Sequence, residues 1–264
     1  MNAVINTVNG APRAIAVIMH GGATTKEQHQ LQVVASALSQ HGCLCVRVDA
    51  LDDLGYGDEA LQGMTLTKRI ENLEDTITWV QQQTWCTAPL IIGGHSLGAF
   101  AAGIVAASLN ASQSEASGDH SALQNDVAGK FSFAGAILMA PAISGDFLWK
   151  SRGSAELADA QTRGHSVREM KAYPGKSFKI NYEFFDDALN YSLLRSAAAL
   201  RRLPVLIIVG AHDVVTPPED AKLLVHALGT AATYVEIPDT KHNFRGKEDV
   251  LANHIDTWVQ NTIL

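Results

Sequence analysis

The feature that most constrains the fold is a stretch in which a short apolar run leads into a G-x-S-x-G pattern. Residues 90–92 predict a buried strand, the pattern occupies 94–98 with Ser96 at its centre, and the alanine-rich residues 99–107 predict a helix. Strand, tight turn and helix in this order are typical of a nucleophile elbow, which presents a serine hydroxyl above a sheet edge. The alternative is a tight turn whose glycines serve only packing. The placement between strand and helix favours the elbow.

The rest of the chain alternates strands with helices. Buried strands are predicted at 14–19, 44–48, 133–140, 205–209 and 234–237. Apolar residues at helical spacing separate most of them, as at Ile70, Leu73, Ile77 and Val80. This alternation predicts an α/β fold with a mostly parallel sheet and helices on both faces. The 264 residues, 47% of them hydrophobic, are enough for a sizeable core.

Two further chemical groups follow strands, as Ser96 does. Asp213 comes after the strand at 205–209, and His242 comes after the strand at 234–237. A serine hydroxyl needs a base to take its proton and an acid to orient that base. The carboxyl ends of parallel strands share one edge of the sheet, so these three side chains are predicted to meet there as a catalytic triad.

Each assignment has an alternative. Asp213 is also a plausible turn residue before Thr216-Pro-Pro-Glu219, which is predicted to form a helical capping box. His226 and His254 are rival bases, but their surroundings predict helices, and we expect the base on a loop. Asp220 and Asp239 are weaker acid candidates. His95 alternates with Ser96 and should face away from it, which predicts a structural role beside the elbow.

An oxyanion hole requires two N–H groups aimed at the developing negative oxygen. Leu97, which follows the serine, is predicted to supply one of them, and Gly22 in the loop after the first long strand is predicted to supply the other. The alternative for Gly22 is that the glycine pair it forms with Gly21 is merely a turn.

Charge and composition limit the partners. The formal net charge of −7 argues against nucleic acid as a partner. No apolar run is long enough to span a membrane, and residues 1–12 lack the pattern of a signal peptide. The three cysteines show no metal-type spacing, and Cys43 and Cys45 are predicted to point to one face of a strand. We therefore expect reduced cysteines, a cytoplasmic location, and no metal or organic cofactor.

Four stretches carry a resemblance to a known family: residues 20–22, 64–75, 94–98, and 204–213 together with His242. In these the chain resembles the serine α/β-hydrolases, and within them the cinnamoyl/feruloyl-esterase-like group. The resemblance implies an α/β-hydrolase core at 1–142 and 201–264, with a cap or lid insertion at 143–200.

The implied cap is rich in aromatic residues. They are Phe147, Trp149, Tyr173, Phe178, Tyr182, Phe184, Phe185 and Tyr191. An aromatic lining suits an apolar or aryl acyl group, although packing of the cap onto the core explains most of these residues equally well. The segment is also rich in lysine and arginine, which indicates a solvated surface more than a site for an anionic substrate.

Together these features predict a serine hydrolase that cleaves a small carboxylic ester through an acyl-enzyme on Ser96. A thioesterase, or an aminopeptidase-like amidase, would use the same triad. A non-catalytic binding protein of this fold often lacks a triad member, whereas this chain has all three candidates. An aspartate nucleophile is excluded by the serine at the centre of the elbow.

Overall fold

The computed structural model describes residues 2–50, 63–114, 132–150, 154–169 and 177–263. The strands are β1 Ala3–Asn6, β2 Ala14–Met19, β3 Cys43–Val48, β4 Leu90–His95, β5 Phe133–Met139, β6 His165–Glu169, β7 Ser177–Asn181, β8 Val205–Gly210 and β9 Ala232–Ile237. The helices are α1 His29–Gln40, α2 Leu66–Gln81, α3 Leu97–Ser114, α4 Gly145–Lys150, α5 Ser154–Arg163, α6 Tyr182–Ala188, α7 Ala197–Leu200, α8 Pro218–Leu228 and α9 Glu248–Thr262.

Seven of the described strands form one sheet in the order β1-β3-β2-β4-β5-β8-β9. All neighbouring pairs are parallel except β1 with β3, where Ala3 pairs with Val48. The predicted α/β class is therefore confirmed. Strand β1 was not predicted, because its 4 residues are too few to show an alternating pattern.

Alternate residues of the central strands supply two different cores. In β2, Ile15 and Val17 pack into one buried cluster, whereas Ala16 and Ile18 pack into the other. Helices α2, α3 and α8 contribute to the first cluster, and α1 and α9 contribute to the second. The period-2 pattern thus buries both faces of the sheet, as expected when helices cover each side.

The strand order reverses at the centre of the sheet. Strand β2 lies between β3, which follows it in the chain, and β4, which comes later. Ligands of open α/β sheets bind in the crevice at the carboxyl ends of the strands where the order reverses. The loop after β2 and the turn after β4 therefore flank the place where a substrate is expected.

Residues 140–204 separate β5 from β8 and carry structure of their own. Strands β6 and β7 form a separate antiparallel pair, with His165 opposite Asn181. A third apolar cluster joins this segment to the main body; its buried members are Met64, Leu97, Leu157, Ile180, Phe184 and Phe185. Since Leu97 directly follows Ser96, the segment packs against the residues of the G-x-S-x-G turn.

Cys43 and Cys45 are both free and belong to the same buried cluster, as their spacing predicted. Among the described helices, none combines the length and apolar character needed to cross a bilayer.

Candidate active site

Ser96 lies at the turn between β4 and α3 in a conformation that L-residues rarely adopt. Its φ is +55°, in the left-handed region. The Ser96 N–H donates to the carbonyl of Met139 at 2.9 Å, and the Ser96 carbonyl accepts from Phe100 N–H at 3.0 Å. These bonds fix the turn between the neighbouring strand and the new helix, and the Ser96 side chain remains partly exposed.

Glycine is required at both ends of the G-x-S-x-G pattern because backbone atoms pass very close. A β-carbon built on Gly98 would lie 2.3 Å from the carbonyl oxygens of His20 and Met19. One built on Gly94 would lie 2.6 Å from the carbonyl carbon of Gly98 and from the Met19 oxygen. The start of α3 therefore touches the end of β2, which is the packing that the elbow interpretation requires.

Asp213 and His242 are in direct contact, with the acid buried and the histidine partly exposed. The Asp213 Oδ2 lies 2.7 Å from His242 Nδ1, and the carboxylate is inaccessible to solvent. The other oxygen, Oδ1, accepts from the N–H groups of Val215 and Thr216 at 2.8 and 3.1 Å. Burial would raise the pKa of Asp213, but the hydrogen bond and charge of His242, with these two N–H groups, hold it below its ordinary value.

The capping box predicted at 216–219 is wrong. Helix α8 begins at Pro218, and Pro217 before it makes no side-chain cap. The Thr216 hydroxyl instead lies 2.9 Å from Asp213 Oδ2, 3.1 Å from the Ala140 carbonyl and 3.3 Å from His242 Nδ1. Thr216 is therefore part of the acid–histidine arrangement, because that carboxylate competes successfully for its hydroxyl.

His242 is held beside the elbow by its contact with His95. The two rings lie 4.6 Å apart, and His95 Nε2 lies 2.9 Å from the His242 carbonyl oxygen. The carbonyl only accepts, so His95 carries its proton on Nε2. Burial, followed by the nearby His242 charge, lowers the pKa of His95 to about 3, so its ring is neutral. The predicted structural position of His95 next to the elbow agrees with this arrangement.

Within the described residues, the Ser96 hydroxyl makes no hydrogen bond to His242. Both side chains are partly exposed, and His95, the neighbour of Ser96, contacts the His242 ring. Hydrogen bonds of this kind are often longer in the absence of substrate. The structure thus brings the three side chains to one edge of the sheet and places Asp213 and His242 in direct contact.

The rival residues lie elsewhere or are exposed. His226 and His254 are on α8 and α9, as their surroundings predicted. Asp220 is also on α8, and Asp239 is exposed. Asp213 is thus the candidate acid that contacts His242.

The two residues predicted for the oxyanion hole lie on the two loops that flank the crevice. Leu97 is the first residue of α3, and Gly22 follows β2. A β-carbon built on Gly21 would lie 3.2 Å from the β-carbon of Ser96, so the Gly22 loop reaches the elbow. Among the described residues, neither the Gly22 nor the Leu97 N–H has a hydrogen-bond partner in the protein.

Sequence reasoning missed a polar cluster behind the Gly22 loop, formed by His20, Asp49, Lys26 and Arg69. Lys26 Nζ pairs with Asp49 at 2.5 Å, and Arg69 donates to the His20 carbonyl at 3.1 Å. A signal was present: Arg69 is three residues after Leu66 and one before Ile70, inside the buried stripe of α2. A charged residue at such a position is rare without a partner.

The fold and the arrangement of these residues define a class: this protein is a serine hydrolase of the α/β-hydrolase superfamily. Residues 10–248 match the model of the family described as "Serine aminopeptidase, S33", and the chain therefore belongs to that family. A comparison with curated proteins finds no match.

Solved structures with the same fold cover nearly the whole chain. Est1E from Butyrivibrio proteoclasticus, solved with ferulic acid, is 18% identical with a TM-score of 0.72, covering 99% of this chain and 95% of its own. Mouse alpha/beta hydrolase domain-containing protein 10 is 16% identical with a TM-score of 0.69, covering 98% and 94%. Dienelactone hydrolase from Anabaena variabilis ATCC 29413 is 15% identical with a TM-score of 0.61, covering 98% and 91%. At these identities the likeness shows the fold.

Proposed function

We propose that the protein hydrolyses small carboxylic esters through an acyl-enzyme on Ser96, with Asp213 and His242 completing a catalytic triad. The observation that carries the proposal is the 2.7 Å contact between Asp213 and His242, held beside a serine with φ +55°. An acid, an imidazole and a strained serine at one strand edge are the parts that acyl transfer needs.

In the proposed reaction, Ser96 Oγ attacks the acyl carbon while His242 Nε2 takes the hydroxyl proton. The bond to the alcohol oxygen then breaks, and His242 returns the proton to the leaving alkoxide. Water attacks the acyl-enzyme with His242 again as base, which releases the acid and restores Ser96. Asp213 keeps the His242 proton on Nδ1, so that Nε2 is free to act as the base.

The oxygen of the tetrahedral intermediate is proposed to accept hydrogen bonds from the N–H groups of Gly22 and Leu97. The absence of protein partners for both groups among the described residues supports this role. The N-terminus of α3 adds the positive end of a helix dipole at the same place.

Residues 143–200 are proposed to act as the cap, and to favour an apolar or aryl acyl group. Support comes from the third apolar cluster, in which Phe184 and Phe185 pack with Leu97, next to the proposed nucleophile. Tyr173 and the side chain of Phe178, which belong to the predicted aromatic lining, lie outside what the structure describes. Est1E, which shares the fold, was solved with ferulic acid, an aryl acid.

The family description favours a second candidate, in which the same triad cleaves an amide at the amino end of a peptide. A thioester would also be attacked by the same machinery. These candidates differ only in the leaving group, so a single acyl group presented as oxygen ester, thioester and anilide separates them.

The test uses that set of three substrates with several acyl groups, from acetyl to aryl-propenoyl, on the native chain and on Ser96→Ala. We expect the oxygen ester to have the highest kcat/KM, aryl acyl groups to exceed acetyl, and Ser96→Ala to abolish turnover. Preference for the anilide would support the second candidate. Turnover retained in Ser96→Ala would contradict the proposed nucleophile.

A further inference from the structure

Behind the loop that carries Gly22 lies a fully buried arginine. Arg69 on α2 has 0% of its surface exposed, although burial of a guanidinium is costly unless its donors are satisfied. Its Nη1 donates to the His20 carbonyl at 3.1 Å, and its Nη2 donates to the Gly21 carbonyl at 3.4 Å. The charge is thus directed at the two peptides that precede Gly22.

The Gly21 carbonyl receives two more donors. The Thr24 hydroxyl donates to it at 3.2 Å, and His20 Nδ1 lies 2.6 Å from it. Ala50 N–H donates to the other ring nitrogen, Nε2, at 2.9 Å, so the His20 proton is on Nδ1. Burial, followed by the charge of Arg69, lowers the pKa of His20 to about 4, which agrees with a neutral ring that donates from Nδ1.

Three donors on one carbonyl fix the orientation of a peptide plane. The Gly21 carbonyl and the Gly22 N–H belong to the same planar trans unit and point in opposite directions. With its oxygen held toward Arg69, Thr24 and His20, this unit directs the Gly22 N–H away from the cluster. Glycine on both sides would otherwise leave the plane free to rotate.

Building on the proposed function, we propose that Arg69 is a positioning residue for the oxyanion hole, acting through the Gly21 carbonyl to orient the Gly22 N–H. Thr24 and His20 share this task. The cation also polarises the peptide unit, which makes the Gly22 N–H a stronger donor to the oxyanion. Arg69 itself does not touch the substrate.

The test compares two variants that each weaken the hold on the Gly21 carbonyl. Arg69→Lys keeps the charge but loses the guanidinium, whose two terminal nitrogens reach two carbonyls. Thr24→Val removes the hydroxyl that donates to the Gly21 carbonyl. The matched controls are Arg47→Lys, a buried arginine that donates to the Lys26 carbonyl, and Thr78→Val, a half-buried threonine that donates to the Glu74 carbonyl.

We expect Arg69→Lys to lower kcat by about 10²-fold, since misplacing an oxyanion donor costs that order, with KM little changed. The inhibition constant of a trifluoromethyl ketone bearing the same acyl group should rise in parallel, because its adduct places an oxyanion in the hole. Thr24→Val should show a smaller loss of the same kind. Arg47→Lys and Thr78→Val should change the melting temperature without this split between kcat and KM.

Crystal structures of Thr24→Val and Arg69→Lys give a readout independent of turnover, namely the orientation of the Gly21–Gly22 peptide. A rotated peptide in these variants supports the positioning role of Arg69. If the native chain proves inert toward esters, that inertness counts against the proposed function alone and leaves the reading of the peptide orientation intact. An unrotated peptide with native kcat and ketone affinity in Arg69→Lys would overturn the positioning role. Should Arg69→Lys fail to fold, the same unchanged readings in Thr24→Val would overturn it.

Discussion

Backbone strain in this protein is concentrated around the candidate site. The described non-glycine residues with positive φ are Ala23, Ser96, Ala140, Asp239 and Phe244. Ser96, Ala140 and Asp239 lie within two residues of the carboxyl end of a strand of the main sheet, and Ala23 and Phe244 lie in the loops that follow β2 and β9. Each such residue costs on the order of 1–3 kcal/mol and persists only where its surroundings enforce it. The strain therefore marks the same edge as the acid–histidine pair.

At the residue scale, Asp213→Asn tests the orienting acid. An amide in place of the carboxylate can donate to His242 Nδ1, which would leave the proton on Nε2 and remove the base. We expect kcat to fall by about 10⁴-fold with the fold intact, as in other triads. Steady-state kinetics on the preferred ester measures this.

Asp239→Asn is the control for that variant, since this exposed aspartate is one of the two weaker acid candidates. It should keep the native kcat. Equal losses in both variants, or native turnover in Asp213→Asn, would contradict the assignment.

The buried histidines predict how stability depends on pH. Burial lowers the pKa of His95 to about 3 and that of His20 to about 4, against 6.5 in the unfolded chain. Between these pKa values and 6.5, the unfolded chain therefore binds more protons than the folded chain. The stability that the two neutral histidines contribute is complete above pH 6.5 and is lost as the pH falls toward 4. Each histidine contributes a slope of about 1.4 kcal/mol per pH unit in that window.

Urea unfolding between pH 7 and pH 4.5 measures this slope in the native chain and in His95→Gln. In the variant, the free energy of unfolding should depend less steeply on pH, by about 1.4 kcal/mol per pH unit, because one proton fewer is taken up on unfolding. His226→Gln removes an exposed histidine and should leave the slope unchanged. Identical slopes in all three proteins would contradict a neutral, buried His95.

The side chains that meet at this edge could be predicted from single positions, but the contacts that support them could not. Ser96, Asp213 and His242 each follow a predicted strand, and parallel strands end at one edge. The local pattern predicts Thr216 as a helix cap, whereas its hydroxyl lies against Asp213 at a place where Ala140 and His242, 76 and 26 residues away in the chain, also meet it. Arg69 likewise donates to the carbonyl of Gly21, which is 48 residues away from it in the chain. Such contacts depend on tertiary packing, which no local pattern reports.

At the scale of elements, the active edge depends on close contact between α3 and the end of β2. Gly98→Ala places a β-carbon 2.3 Å from two backbone carbonyls, which cannot yield as a side chain would. The helix must shift and carry Ser96 and Leu97 with it. We expect loss of most turnover and a destabilisation of about 1–3 kcal/mol, which is typical of overpacking.

Gly63→Ala is the matched control. Among the described residues, its new β-carbon would meet only the end of the Lys68 side chain, at 3.5 Å. Chemical denaturation and kinetics on both variants check the prediction. A Gly98→Ala protein with native stability and turnover would show that the elbow tolerates separation from β2.

Elements with strong periodicity were predicted well. Helix α2 buries Ile70, Leu73, Ile77 and Val80, as its apolar spacing indicated. The predicted start of α8 is wrong by one residue, because Thr216 bonds to Asp213 and Pro217, not Thr216, directly precedes the helix. A local pattern thus predicts the existence of an element more accurately than its first residue.

At the scale of the whole molecule, the residues that the structure describes pack into three apolar clusters of unequal size. The two large clusters cover the faces of the sheet, and the third, with Phe184 and Phe185, joins the 143–200 segment to the region of Leu97. The sequence resemblance implied the position of this segment, and its proposed role as a cap rests on that small cluster.

Hydrogen exchange followed by mass spectrometry tests whether this segment opens by itself. Because a smaller cluster holds it, peptides from α6 should exchange faster than those from β4 and β8, and also faster than those from α8 on the main core. A covalent phosphonate with an apolar chain should slow the exchange of α6. Protection of α6 equal to that of the central strands would contradict an independently opening cap.

Ser96 is the proposed nucleophile, and Asp213 and His242 are proposed to activate it. The most direct measurement is labelling of the native chain with a fluorophosphonate, followed by mass spectrometry of its peptides. We predict a single phosphonate on Ser96, no label in Ser96→Ala, and much slower labelling in His242→Ala. An unlabelled native chain, or a label carried by another residue, would contradict the account.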